Sequence, residues 1–182
     1  DILALMRTED STEIADLLKY PKGTAGGIMT TEFFALFEDA TAQEAIRRLQ
    51  QATDAEMVFY IYVTDKDEHL VGVLSLRQLL TVPPATPLKN IMMRDVMSVA
   101  VDMDQEEVAR QVASYNLLAI PVVEKDGKLA GIITVDDVVD VIREEATEDM
   151  LKMAGAIEED SVSKSSSFGA AKLRLPWLFT NL

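Results

Sequence analysis

Seven carboxylates and a single base, Arg143, lie between Asp136 and Asp149. Asp136, Asp140, Glu144 and Glu148 recur at every fourth position, and Asp137, Glu145 and Asp149 form the stripe beside them. Val135, Val138, Val139, Ile142, Ala146 and Met150 supply an apolar side, so the spacing predicts an amphipathic helix. Like charges four apart weaken a helix by about 0.2–0.5 kcal/mol per pair. Two carboxylates roughly 6 Å apart repel by nearly 3 kcal/mol at an effective dielectric of about 20. An element that accumulates such costs is a candidate cation site. Taken alone, though, a run of charge is more often a solvated helix face.

The rest of the composition narrows the chemistry. Cysteine is absent and His69 is the one histidine, so thiolate and histidine-rich metal sites are excluded. Oxygen ligands alone suit a hard ion, magnesium or calcium. A net charge of −14 argues against nucleic acid as a partner. No nucleophile and base are placed for covalent catalysis, so no catalytic residue is assigned and the chain is not expected to be an enzyme. Lys22-Gly23-Thr24 lacks the spacing of a phosphate loop and reads as a turn. His69 is expected to be solvated in a charged hairpin turn. Met29, Met92, Met93 and Met97 are expected to pack at junctions.

The elements that must position the acids come in two copies of about sixty residues. Ile28-Met29-Thr30 opens one and Ile91-Met92-Met93 the other. Thr41-Ala42-Gln43-Glu44-Ala45 aligns with Asp104-Gln105-Glu106-Glu107-Val108, and Leu70–Ser75 aligns with Leu129–Thr134. Ile61-Tyr62-Val63 is set against Pro121-Val122-Val123. Each copy predicts a short extended segment (Phe33–Phe37, Val96–Val101) and a helix from Thr41 or Asp104. Asp104 and Glu107 have capping-box spacing, and Val108, Val112 and Tyr115 follow on one face. Then come two strands (Val58–Thr64 with Val71–Ser75, Ala119–Glu124 with Leu129–Thr134) and a closing helix near Leu76 or Val135. Three prolines between Pro83 and Pro87 exclude helix interior and central strand and mark a linker.

This β-α-β-β-α repeat resembles the cystathionine-β-synthase (CBS) motif, and two in tandem resemble a CBS pair, or Bateman module. The flanks add a narrower resemblance. Tyr20–Thr30, Phe59-Tyr60-Ile61-Tyr62-Val63, Gly72–Arg77, Asp104–Arg110, Thr134–Val138 with Glu145–Asp149, and Arg174-Leu175-Pro176-Trp177-Leu178 are similar to the MgtE family of magnesium transporters. The fold implied is α/β: a tandem CBS pair with short N-terminal helices and a long acidic C-terminal helix. Its divisions are 1–27, the end of a helical N domain and linker; 28–82, the first CBS motif; 83–90, a proline-rich linker; and 91–142, the second motif. The acidic connecting (plug) helix and linker follow at 143–172, and the start of a first transmembrane helix at 173–182. The chain therefore reads as a fragment of something longer.

What the resemblance implies is regulatory magnesium binding by Asp137, Asp140, Glu145, Glu148 and Asp149, faced by Asp104 and Glu106. Asn116 stands where the family has an acid. The implied partners are a second copy in a homodimer, a transmembrane pore domain of the same polypeptide, and the membrane at the C-terminal end, on the cytoplasmic side of the cell membrane. Magnesium held between CBS domains and connecting helices would close the pore, as feedback on influx. The alternative is an adenine-nucleotide-sensing CBS module regulating another transporter or an enzyme. Against it, the ribose-binding Asp position holds Gln78 in the first copy, which puts ATP binding in doubt. In the second copy it holds Asp137, already claimed for metal.

Overall fold

Both halves lay down the same elements, because the same signals recur at the same places. A computed structural model describes residues 19–51 and 60–153 of the chain. They fall into two units, Asp1–Val139 and Asp140–Leu182, whose expected N-domain helices and membrane entry lie outside the described residues. In order come α1 (Ala25–Ile28), β1 (Ala35–Phe37), α2 (Ala42–Gln51), β2 (Tyr60–Thr64), β3 (Leu70–Ser75) and α3 (Leu76–Thr81). After a 3-10 turn at Leu88–Asn90 follow β4 (Val99–Ala100), α4 (Gln105–Tyr115), β5 (Ala119–Val123), β6 (Leu129–Thr134) and α5 (Val135–Met153). Two three-stranded sheets result, ordered β1-β2-β3 and β4-β5-β6, each with one parallel and one antiparallel pairing.

The cap expected on α4 forms, and α2 has one that was not foreseen. Thr41 Oγ1 accepts from the Glu44 amide at the start of α2, and Asp104 accepts from the amides of Glu106 and Glu107 at the start of α4. Two expectations need correction. The extended segment placed at Val96–Val101 yields only the two-residue β4. The reason is Pro121. In the first sheet the Tyr62 amide donates to Phe34 O at 3.0 Å and ties down the start of β1, and proline has no N–H to do the same for β4. Pairing also shows that Ile61-Tyr62-Val63 matches Ile120-Pro121-Val122, one residue from the alignment expected. Val63 and Val122 occupy equivalent positions opposite Leu36 and Val99, and opposite Gly72 and Gly131.

The two repeats exchange their leading segments. Residues 23–30 precede the first sheet yet bond to the second repeat: Ala25 N to Met103 O, Gly26 N to Val101 O, Gln105 N to Gly23 O, and Thr30 with Ile132 in both directions. Residues 86–93 precede the second sheet yet bond to the first: Leu88 N to Ala40 O, Lys89 N to Glu38 O, Ala42 N to Thr86 O, and Met93 with Val73 in both directions. Each bond has its counterpart under a pseudo-two-fold exchange of the copies. His69 and Lys128 bridge each other and are themselves equivalent, so they sit at the pseudo-axis.

Burial follows the same exchange. Leu36, Ile61, Val63, Leu74 and Leu79 pack with Leu88 and Met92 of the exchanged segment. The counterparts Val99, Ile120, Val122, Ile133 and Val138, with Ala25 and Met29, are all buried too. Met29 and Met92 therefore pack at the junctions as expected, whereas Met93 (57% exposed) and Met97 (36%) do not. Val108 and Val112 are buried, but Tyr115 is exposed, because α4 ends there as Asn116 turns into the left-handed region.

Glu68 and Gly127 hold equivalent hairpin positions with φ of 69° and 90°, and each lends its carbonyl to the other repeat, to the amides of Leu129 and Leu70 respectively. Glycine takes that conformation freely, while an L side chain is strained there by about 1–2 kcal/mol. The Glu68–Lys128 pair is exposed and 4.0 Å long, so losing it costs little. After allowance for glycine's freer unfolded chain, Glu68→Gly is expected to raise stability by about 0.5–1 kcal/mol in urea unfolding. A loss of stability would mean that the Glu68 side chain matters more than its backbone.

Candidate metal site on an acidic helix

Helix α5 starts where β6 ends. The Thr134 amide and hydroxyl both donate to Asp137 Oδ2, at 3.1 and 2.5 Å, and the Val135 amide donates to Leu118 O. Val138 is buried, so the first turn is fixed to the second repeat. Asp137 is half-buried, and one of its oxygens already serves this cap.

Further along, the acids face water. Asp140 meets Arg143 at 3.4 Å and Glu148 meets Lys152 at 2.7 Å, while Glu145 is half-buried and Asp149 exposed. The Glu148 hydrogen bond holds the Lys152 pKa above its ordinary value against slight desolvation, with the charges of Glu148, Asp149 and Glu145 adding to it. This stretch of helix is thus a region of negative field that already attracts a cation of its own. In the second repeat, Asp104 and Glu106 are exposed, with Asp104 engaged as the α4 cap. Asn116 is exposed at the α4 C-cap with φ 51°, a conformation that asparagine tolerates well, which gives it a backbone reason to be there.

Among the described residues, no three of these seven acids bring ligand oxygens within 4.8 Å of one another. The group that does converge was not expected: Asp65, Asp67 and His69 in the β2–β3 turn. Its geometry explains itself. Asp65 Oδ1 accepts from the Asp67 and His69 amides at 2.9 Å, and Oδ2 lies 3.0 Å from His69 Nδ1. Desolvation pushes the Asp65 pKa up, but the His69 ring and these amides outweigh it and the net direction is down. His69 is accordingly half-buried and paired rather than solvated, and this correction was foreshadowed only by an Asp four residues before it.

The nucleotide question turns on the first closing helix. Gln78 Oε1 accepts from the Ser75 amide and hydroxyl, each at 2.9 Å, and the Gln78 amide returns a bond to Ser75 Oγ. Gln78 is therefore a capping-box residue, the equivalent of Asp137 in the second repeat. Lys22-Gly23-Thr24 is the turn expected, with Gly23 at φ 78° and Thr24 Oγ1 donating to Pro21 O.

Two exchanged β-α-β-β-α units define a tandem CBS pair, and the CBS domain family model matches residues 25–85 and 88–144; the chain belongs to that family. Its particular likeness is to the magnesium transporter MgtE. It is 44% identical over 176 residues to the MgtE of Enterococcus faecalis, covering 96% of this chain and 38% of that protein. The crystal structure of the soluble part of a magnesium transporter matches with TM-score 0.75 and 46% identity, over 79% of this chain and 57% of that one. The cytosolic domain of the Mg2+ channel MgtE in complex with ATP matches with TM-score 0.74 and 45% identity, over 76% and 56%. The chain thus spans well under half the length of the curated relative. The matched region is a CBS regulatory module and not an enzyme. Among the described residues no helix is long and apolar enough to cross a membrane.

Proposed function

We propose that this chain is the magnesium-sensing, cytosolic regulatory part of an MgtE-type transporter or channel, acting as a homodimer joined to a pore domain in the membrane. The observation that carries the reading is the acid run of α5, mounted by its first turn on the second CBS repeat in a chain this similar to MgtE. The donor set fits a hard cation: carboxylate oxygens, mostly exposed, without thiolate or imidazole. Among the described residues no three of the seven acids converge within one chain, which favours ions shared between CBS faces and α5 helices of two copies. The exposed apolar residues Tyr115, Leu118, Val135, Val139 and Ile142 suit contact with such a second copy.

At low magnesium, facing carboxylates repel and the dimer loosens. At high magnesium, ions bridge them, the dimer tightens, and α5 carries the change toward the pore, closing it as feedback on influx. For this to work the ion must favour the closed arrangement, since equal affinity for both would shift nothing.

The test is a magnesium titration of the chain by calorimetry with small-angle scattering, beside Glu145→Ala/Glu148→Ala/Asp149→Ala. Saturable binding with compaction is expected, and the variant should lose at least about tenfold in affinity, since each site rests on few carboxylates. An unresponsive parent chain would end the sensor reading. ATP serves as a separate titrant, because one similar structure holds it. With Gln78 Oε1 engaged at Ser75, ATP binding is expected to be weak or absent. Tight ATP binding without a magnesium response would favour a nucleotide-sensing module.

A further inference from the structure

The two exchanged leading segments make equivalent backbone bonds, but they are not held alike. Residues 86–93 are joined covalently to a folded repeat at each end. Residues 20–30 join a repeat covalently only through Thr31. Each segment also has a side-chain tie, but of a different kind. On 86–93 it is the well-exposed ion pair of Lys89 Nζ with Asp39 Oδ1 at 2.8 Å, worth little in water. On 20–30 it is a part-buried bond in which Tyr20 Oη donates to Glu124 Oε1 at 2.6 Å, across 104 positions of sequence. The equivalent of Tyr20 is Pro83, which offers no donor, and the equivalent of Glu124 is Asp65, spent on its own turn. Gly26 completes the tie, since a Cβ there would come within 2.6 Å of the Tyr20 ring.

We propose that residues 20–30 form a detachable strap on the second repeat, and that the Tyr20–Glu124 hydrogen bond is its latch. Undocking breaks the bonds of Ala25, Gly26 and Gln105 and the Thr30–Ile132 bridge, uncovers Ala25 and Met29, and leaves both sheets otherwise intact. The matching segment at 86–93 cannot leave in this way while its neighbours stay folded. A pull or a binding event on the chain before Tyr20 is therefore felt first by the second repeat, whose β6 runs straight into α5. By reciprocity, a change in that repeat alters how firmly the strap is held.

Hydrogen exchange on the full 182-residue chain tests this, with Tyr20→Phe keeping the ring and removing the donor. The amides of Ala25, Gly26, Thr30 and Gln105 are expected to exchange about tenfold faster, as for loss of a hydrogen bond to a charged group. Those of Leu88, Lys89, Met93 and Ala42, the symmetry-related set, should keep their rates. Gly26→Ala, which displaces the Tyr20 ring, should give the same pattern. Glu124→Gln retains an acceptor and should stay within about threefold of the parent. Equal acceleration of both sets, or none in the first, would overturn the proposal.

Discussion

Replacing Tyr62 with phenylalanine is expected to make the protein more stable, by about 1–3 kcal/mol at neutral pH. Tyr62 lies at the centre of β2 and is 2% exposed, and its hydroxyl finds no hydrogen-bond partner among the described residues. The side chain points away from Ile61 and Val63, and Phe33 meets its ring edge-on at 6.5 Å. The ring therefore has packing of its own, while the oxygen has lost water without compensation. Burial is also the main cause that pushes the Tyr62 pKa well above its ordinary 10.0, with the neighbouring Tyr60 adding to it. Because the folded value is raised, stability is full below pH 10 and declines above it, as the unfolded chain releases a proton that the folded chain keeps. Tyr62→Phe should abolish that alkaline decline. Urea unfolding at neutral pH and again above pH 10 reads both effects. A variant less stable than the parent would show that the hydroxyl is bonded after all.

A second large effect is expected at Gly131, in the opposite direction. A Cβ there would lie 2.7 Å from Thr30 O and 2.9 Å from Met29 Cγ, whereas at Gly72 the three nearest atoms all belong to the Met92 side chain, with Cγ at 2.7 Å. Methionine can swing aside. Thr30 O cannot, because it and its own amide are both bonded to Ile132 at 2.9 Å. Gly131→Ala should therefore cost about 2–3 kcal/mol and Gly72→Ala nearer 1, within the usual range for overpacking. Equal losses at the two glycines would show that the leading segments yield equally, contrary to the geometry.

Much of this was legible because it is local. Asp104 caps α4 as its spacing to the helix predicts, Leu129–Thr134 is β6 to the residue, and the strand expected at Val71–Ser75 is β3 with Leu70 added. The second strand of each hairpin is set by a turn close in sequence. The errors lie where information is not local. Pro121 falls inside an apolar run that can slide by one residue without looking wrong, and only its pairing with Ile132 fixes the register. No spacing tells that Met29 packs against Gly131 rather than Gly72, since both glycines stand in the same motif. The acidic stripe of α5 was plain in the sequence, but which acids meet is a property of surfaces brought together from different elements. Tyr20 and Glu124 are ordinary residues in the chain, and nothing near either one announces the other.

The exchange of leading segments bears on how such a chain came to be. Two separate copies of a single repeat, set about a true two-fold axis, would make the same bonds, each lending its first segment to the other. Fusing them end to end replaces a concentration-dependent encounter with a permanent one, because the linker keeps the effective concentration high however dilute the protein becomes. Once fused, the copies were free to diverge. The donor lost at Pro121, the strained Glu68 and the lone Tyr20 latch are differences that a symmetric pair of identical chains would have had to carry twice.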